Sequence, residues 1–352
     1  MSDSNGLYIS SSPHIGSSVD TRKLMARVLI ALAPVSVFGI VLYGLPALLT
    51  ILVSIAAAEL AEALFRKMLR RDLRNRDCSA AITGLLLALV LPPGVPLWAT
   101  ALGSAFAIIV AKEFFGGLGA NVFNPALIGR AFLLMSFPAS LTRWAAPRAF
   151  FATDAAAADA LSRATPLALI KDGSSVADVG AGLASIGLAW GDGYWPTIGS
   201  FFIGFREGCI GESSILLILV GFAYLLLTGT IDWRTPVSMV LTVFAFSFLF
   251  GRDPLAAVLT GGVIFGAVFM CTDYVTSPLD PNGKLIFGFG AGLVTVLIRQ
   301  WGNFPEGVTY GILIMNALTP FLNRLLNKKY GYVRVPKEPT VPKEPQARGG
   351  AK

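Results

Sequence analysis

"MARVLIALAPVSVFGIVLYGLPALLTILVSIAAAELAEALFRKMLRRDLRNRD", residues 25–77, decides the fold. It begins with two apolar runs, 25–43 and 46–65, each close to the roughly 20 residues that cross a hydrocarbon core of about 30 Å. It ends in a loop where Arg66, Lys67, Arg70, Arg71, Arg74 and Arg76 face only Asp72 and Asp77. Two membrane-length runs closed by a dense basic loop read as a helical hairpin, and the excess of Lys and Arg puts that loop on the cytoplasmic side.

The rest of the chain repeats the pattern. Of its 352 residues, 54% are hydrophobic and 14% charged, the balance of a polytopic membrane protein. Eight further segments extend the series: 80–91, 97–111, 125–137, 215–227, 236–250, 254–270, 285–298 and 308–322. Counting crossings from the basic loop puts both ends of the chain inside, in accord with Arg22, Lys23 and Arg27 near the start and the basic tail 326–352. The polar N-terminus, 1–23, lacks the parts of a signal peptide and reads as a cytoplasmic tail. The organisation expected is one membrane half over 24–137, an external loop over 138–211 and a second half over 212–325.

Five segments per half would make the halves opposite in orientation, an inverted repeat. "ITGLLLALVLPP" (82–93) and "LTGGVIFGAVFM" (259–270) match as a Thr-Gly step before an apolar run in the third segment of each half. Ordinary membrane composition accounts for the match equally well.

Several chemistries are excluded. Cys78, Cys209 and Cys271 lie far apart and His14 is the single histidine, so an iron–sulfur, zinc or histidine-ligated haem site within the chain is not expected. The net charge of +7 is explained by topology and not by nucleic acid. No Gly fingerprint follows a strand, so nicotinamide binding belongs elsewhere.

Two interruptions are candidates for chemistry. In "FFGGLGANVFNPALIGRAFL" (114–133), Gly116, Gly117 and Gly119 precede an Asn124-Pro125 step that suits a helix cap and first turn. Such a break is either a re-entrant element lining a polar site or an ordinary loop before a helix. In "DALSRATPLA" (159–168), Thr165 suits an N-cap with Pro166 at the first helical position. A helix N-terminus can also hold a phosphate, although a plain cap explains the residues as well.

Among ionisable groups near the segment ends, Glu59, Glu62, Lys112, Glu113, Asp273 and Asp280 are expected to snorkel or pair at the interface. "TDYVTSPLDPNGK" (272–284) offers oxygen ligands, but Pro278, Pro281, Asn282 and Gly283 favour a polar turn. Trp98, Trp144, Trp190, Trp195, Trp233 and Trp301 suit membrane interfaces and helix packing.

The heptad Asp159-Ala160-Leu161-Ser162-Arg163-Ala164-Thr165 resembles the flavinylation motif Asp-x-x-Ser/Thr-Gly/Ser-Ala-Thr. With "GGLGANVFNPALIGR" and the ten-segment plan, the chain resembles the RnfD/NqrB family, whose members belong to the Rnf ion-translocating electron-transport complex and to the sodium-translocating NADH:quinone reductase. The resemblance runs from "SSPHI" to "NALTPFLNR". It implies an all-α integral membrane protein of ten transmembrane helices in two inverted five-helix halves, urea-transporter-like, with a large external loop.

It further implies FMN joined through its phosphate to Thr165, with Asp159, Ser162, Arg163 and Ala164 in the recognition motif. Arg163 departs from the family glycine and can instead pair with the phosphate. A second, non-covalent riboflavin follows from the same resemblance, with no residue here marking its place. The implied role is an FMN relay in a bacterial inner-membrane complex that couples electron transfer between ferredoxin and NAD to Na+ or H+ translocation. Its implied partners are the other Rnf subunits, including the FMN-bearing RnfG, together with membrane lipids and a flavin transferase for maturation; no complete active site is expected in this chain alone. The reading from another class is a passive channel or secondary transporter for a small polar solute on the same scaffold.

Overall fold

A single glycine joins the first two helices. In the computed structural model, α1 (Thr21–Tyr43) and α2 (Leu45–Met68) meet at Gly44, whose φ of 71° turns the chain back on itself. The structure describes residues 20–71, 77–144, 147, 164–185, 188–189, 191, 193–302 and 306–326. Asp20 caps α1 by accepting from the Thr21 amide, and Pro46 occupies the first turn of α2, where its missing N–H leaves no helical bond unmade.

α3 (Ser79–Leu89) is buried almost throughout, and α4 (Leu97–Ile108) runs into a π-helical stretch, Ile109–Glu113, before α5 (Pro125–Ser136) and the short α6 (Pro138–Leu141). Three amphipathic pieces follow: α7 (Pro166–Lys171), α8 (Val176–Ala184) and α9 (Tyr194–Ile203). A 3-10 turn, Ile210–Glu212, leads into α10 (Ile215–Leu227) and α11 (Arg234–Leu249). Then come α12 (Pro254–Leu259), α13 (Val263–Phe265) with its π continuation Gly266–Met270, α14 (Pro281–Trp301) and α15 (Val308–Leu326).

The described residues are helical, with no strand among them. α1, α2 and α14 are long and apolar enough to cross a membrane by length and composition. Their outward faces carry Ile30, Val37, Leu52, Leu60 and Leu64, while Thr50, Ser54, Thr100 and Ser104 are buried. That inversion suits a protein whose surroundings are lipid and whose interior satisfies its own polar groups.

Small residues let the helices close on one another. Ser54 Oγ donates to the Gly84 carbonyl at 2.6 Å and lies 2.8 Å from Ser104 Oγ, locking α2, α3 and α4 together. A Cβ on Gly84 would stand 2.7 Å from the Ser54 carbonyl oxygen, and one on Gly292 would stand 2.8 Å from that of Met239. Glycine at both places is therefore what allows α3 to meet α2 and α14 to meet α11. α2 with α4 and α4 with α5 are matched by α11 with α14 and α14 with α15, and the two groups join through α1 against α10 and α5 against α15.

The structure corrects two expectations. The segment 254–270 is not one helix: α12 stops at Leu259 and the chain restarts after Gly261 and Gly262, with φ of 67° and 68°. The Thr-Gly steps also occupy unlike places, since Thr83-Gly84 lies inside α3 whereas Thr260-Gly261 lies in the break. The true likeness is at the helix starts, where Cys78 (φ 60°) and Gly262 (φ 68°) both take the left-handed conformation before a buried half-helix.

Candidate functional site

The expected flavin site lies at the start of α7. Asp159, Ser162 and Arg163 lie outside the described residues; Ala164 is exposed and Thr165 is buried. Thr165 is the N-cap of α7: its backbone is extended, Pro166 takes the first helical position, and its Oγ1 accepts from the Ala168 amide at 3.3 Å. The cap read from the sequence is therefore present.

α7 is anchored from below and from its far end. Leu167 lies against Gly261 in the α12–α13 break, so tightly that a Cβ on Gly261 would collide with it. Arg252 Nη1 donates to the carbonyl of Ile170 at 3.2 Å, and Lys171 Nζ donates to that of Gly302. A cavity beneath α7 is lined by Leu167, Ile170, Phe250, Thr260, Val296 and Arg299, among others.

Directly under the break is a buried polar cluster that the sequence did not reveal. Arg130, from α5, contacts Glu306 through Nη2 and has Nη1 3.8 Å from Glu212 Oε1. Cys209 Sγ, Glu212 and Glu306 bring one ligand-type atom each within 4.8 Å of one another. Arg206 donates to the carbonyls of Leu259 and Glu212, and Arg299 to those of Ala257, Thr260 and Gly261. These two arginines satisfy the carbonyls exposed where the helix breaks, which is the condition for broken backbone in an apolar setting. The signal in sequence was the charge density of "REGCIGE" (206–212), but nothing local tied it to Arg130 or Glu306.

A second cluster lies at the other end of α3. Lys112 Nζ donates to Glu62 Oε2 at 2.8 Å and to Ser79 Oγ at 2.7 Å. Arg66 donates to Glu113 Oε1 through Nη2 at 3.0 Å and lies 3.3 Å from Glu62 Oε1. These groups pair, as expected, but they do not snorkel: Glu62, Arg66, Lys112 and Glu113 are each no more than 4% exposed. The π stretch explains it, because an extra residue in the turn rotates Lys112 and Glu113 inward onto α2. Glu59 is half-buried; its carboxyl accepts from the Ala81 amide and lies near the charges of Glu62 and Lys112.

The glycine-rich interruption folds over this second cluster. Gly116, Gly117 and Gly119 have φ of 118°, 95° and 94°, and a Cβ on Gly117 would stand 2.7 Å from Arg66 Nη2. Asn124 then caps α5, accepting from the amides of Ala126 and Leu127. Asn121, Asn124, Ser79, Thr83, Lys112 and Thr272 bring polar groups to a cavity whose remaining walls include Met25, Leu86, Leu225 and Phe269. A mostly apolar pocket with a few convergent amides and hydroxyls is the usual form of a small-molecule site.

The expected polar turn is present over 272–280, but Pro281, Asn282, Gly283 and Lys284 form the first turn of α14 instead. Asp273 accepts from the Val275 amide and Thr276 Oγ1, and Asp280 caps α14. Trp98, Trp195, Trp233 and Trp301 are exposed, as interface residues would be, whereas Trp144 is buried; Trp190 lies outside the described residues.

Known proteins are similar to this chain along most of its length. The NQR2, RnfD, RnfE family matches residues 8–331. The D subunit of the Na(+)-translocating ferredoxin:NAD(+) oxidoreductase complex of Acetobacterium woodii is 39% identical over 335 residues, covering 94% of this chain and 98% of that protein. The D subunit of the proton-translocating ferredoxin:NAD(+) oxidoreductase complex of Clostridium ljungdahlii is 40% identical over 327 residues, covering 91% and 94%. The D subunit of the ion-translocating oxidoreductase complex of Stutzerimonas stutzeri is 40% identical over 341 residues, covering 90% and 93%. Matched over this span, the chain belongs to the NQR2, RnfD, RnfE family.

Proposed function

We propose that the chain is the FMN-carrying membrane subunit of an Rnf-type complex that couples electron transfer between ferredoxin and NAD to Na+ or H+ translocation. The observation that carries the reading is Thr165: the threonine of the flavinylation heptad caps α7, which is held directly over the α12–α13 break and its buried charges. A phosphate ester on its Oγ1 would sit at the start of α7, where amide N–H groups and the helix dipole favour negative charge. When bound, FMN supplies one-electron redox chemistry, and the chain supplies its position and electrostatic surroundings.

On this reading the ten helical segments form two inverted halves of a urea-transporter-like scaffold in the inner membrane. The chain's ends are cytoplasmic and α7 faces the exterior. The neighbouring RnfG, with its own threonine-linked FMN, exchanges electrons with the group on Thr165, and a flavin transferase makes the bond. A non-covalent riboflavin suits the cavity beside Asn121 and Asn124, where Met25, Leu86 and Phe269 would accept its flat apolar body.

Intact-mass analysis tests the reading. Co-produced with a flavin transferase, the chain is expected to gain the mass of one FMN, with ultraviolet fluorescence in the denatured band, and Thr165→Val is expected to lose both. An unmodified chain under those conditions would overturn it.

A further inference from the structure

Among the described residues, Arg130 is the one guanidinium within ion-pair distance of both carboxylates under the break. Arg130 contacts Glu306 and, more loosely, Glu212. Arg206 and Arg299 direct their terminal nitrogens at backbone carbonyls. Glu212 is 5% exposed, Cys209 fully buried and Glu306 largely so. Two negative carboxylates this close and largely removed from water, with Arg130 between them and Arg206 and Arg299 nearby but bonded to carbonyls, are more stable with one of them neutral.

We propose that Glu212 and Glu306 hold one exchangeable proton between them across Arg130, and that the occupancy of this proton follows the charge on the cofactor attached at Thr165. The second half of the statement rests on the flavin reading above. The link is short: Leu167 lies on Gly261, and Gly262 lies against Glu212 Oε1.

The surroundings single out Glu212 as the oxygen that binds the proton. Burial, with Glu306 beside it, pushes its carboxyl well above the ordinary carboxylate range, against the pull of Arg130 and Arg206. From α1, the Tyr43 hydroxyl is directed at the carbonyls of Arg206 and Gly208. Cys209, whose thiol lies 3.6 Å from Arg130 Nη2, is kept neutral by burial. Among the described residues, Arg299 on α14 also faces the pair, Tyr310 on α15 lies near Arg130, and Glu207 on the same loop lies near Tyr43.

The step balances simply. One electron enters the flavin from a one-electron donor in a neighbouring subunit; one proton from water binds a Glu212 oxygen and leaves again on reoxidation. No electron is exchanged at the pair and no bond to carbon changes.

Infrared difference spectroscopy of the purified complex tests both halves. With the flavin oxidised, a protonated-carboxyl band that shifts in D2O is expected to persist above the usual carboxylate range near pH 4, and to vanish in Glu212→Gln. In Glu306→Gln, which leaves Arg130 to Glu212 alone, the band is expected to titrate at least about one pH unit lower, a tenfold change in proton affinity. Reduction with dithionite is expected to enlarge the band in the unaltered complex and not in Thr165→Val. A band unchanged in both glutamine variants overturns the shared proton. A band that titrates but ignores reduction, in a complex carrying FMN, overturns the coupling. Absence of FMN from the unaltered chain, with titration intact, marks failure of the flavin reading and leaves the proton pair standing.

Discussion

Lys112 Nζ lies 2.8 Å from Glu62 Oε2, and both side chains are 2% exposed. A lysine and a glutamate at helix ends, which would ordinarily reach for water, are here joined inside the protein with Arg66 and Glu113 beside them. Removing Lys112 leaves Arg66 as the one cation of this cluster facing both Glu62 and Glu113. Lys112→Met is expected to lower stability by about 3–5 kcal/mol, because two buried carboxylates would then share a single guanidinium. The double change Lys112→Met, Glu62→Gln is expected to recover much of that loss, as read by thermal unfolding in detergent of all three variants.

Gly117 and Gly119 offer a matched pair of substitutions. Both have strongly positive φ, but a Cβ on Gly117 meets Arg66 Nη2 while one on Gly119 meets nothing within 4 Å. Gly119→Ala therefore incurs backbone strain alone, about 1–3 kcal/mol, whereas Gly117→Ala also displaces Arg66 from Glu113. The melting temperature of Gly117→Ala is expected to fall further; equal shifts would mean the contact with Arg66 contributes nothing.

Thr165 serves as a cap and, on the proposed reading, as the attachment point. Thr165→Ser keeps the oxygen that accepts from Ala168 and should leave α7 intact, while Thr165→Ala should cost about 1 kcal/mol through loss of the cap. Hydrogen exchange at the Ala168 amide checks the cap, and bound flavin in the serine variant then reports the transferase's choice of residue separately from folding.

A local pH dependence is expected at α8. Ser175 and Asp178 form a reciprocal capping box, and the hydrogen bonds from Ser175 hold the Asp178 carboxyl below its ordinary value of about 3.9. Since the folded-state value is depressed, this contribution is present above the unfolded value and is lost as pH falls through the folded one. Amide protection over the first turn of α8, corrected for the intrinsic exchange rate, should fall as the pH drops below about 4, and Asp178→Asn should show the lower protection already at neutral pH.

Much of the scaffold was legible because helices in an apolar setting announce themselves by length and composition. Asn124 and Thr165, each before proline, were readable as caps because a cap is a local arrangement between one side chain and the next amides. The glycine interruption at 116–119 was readable as a break before a helix, whether loop or re-entrant element, for the same reason. The break inside 254–270 was not legible, because the apolar residues run on through it and the arginines that satisfy the open carbonyls come from positions 206 and 299.

The sequence by itself determined the helical character and the family and marked the threonine proposed to carry a flavin, since each is written in contiguous residues. Tertiary structure alone decided that Lys112 and Glu62 face inward, and that Arg130, Glu212 and Glu306 share one site. The physical reason is the same in both cases. A buried charge persists only where partners from distant helices meet it, and that meeting is set by a π turn in one cluster and a broken helix in the other, neither of which hydropathy records.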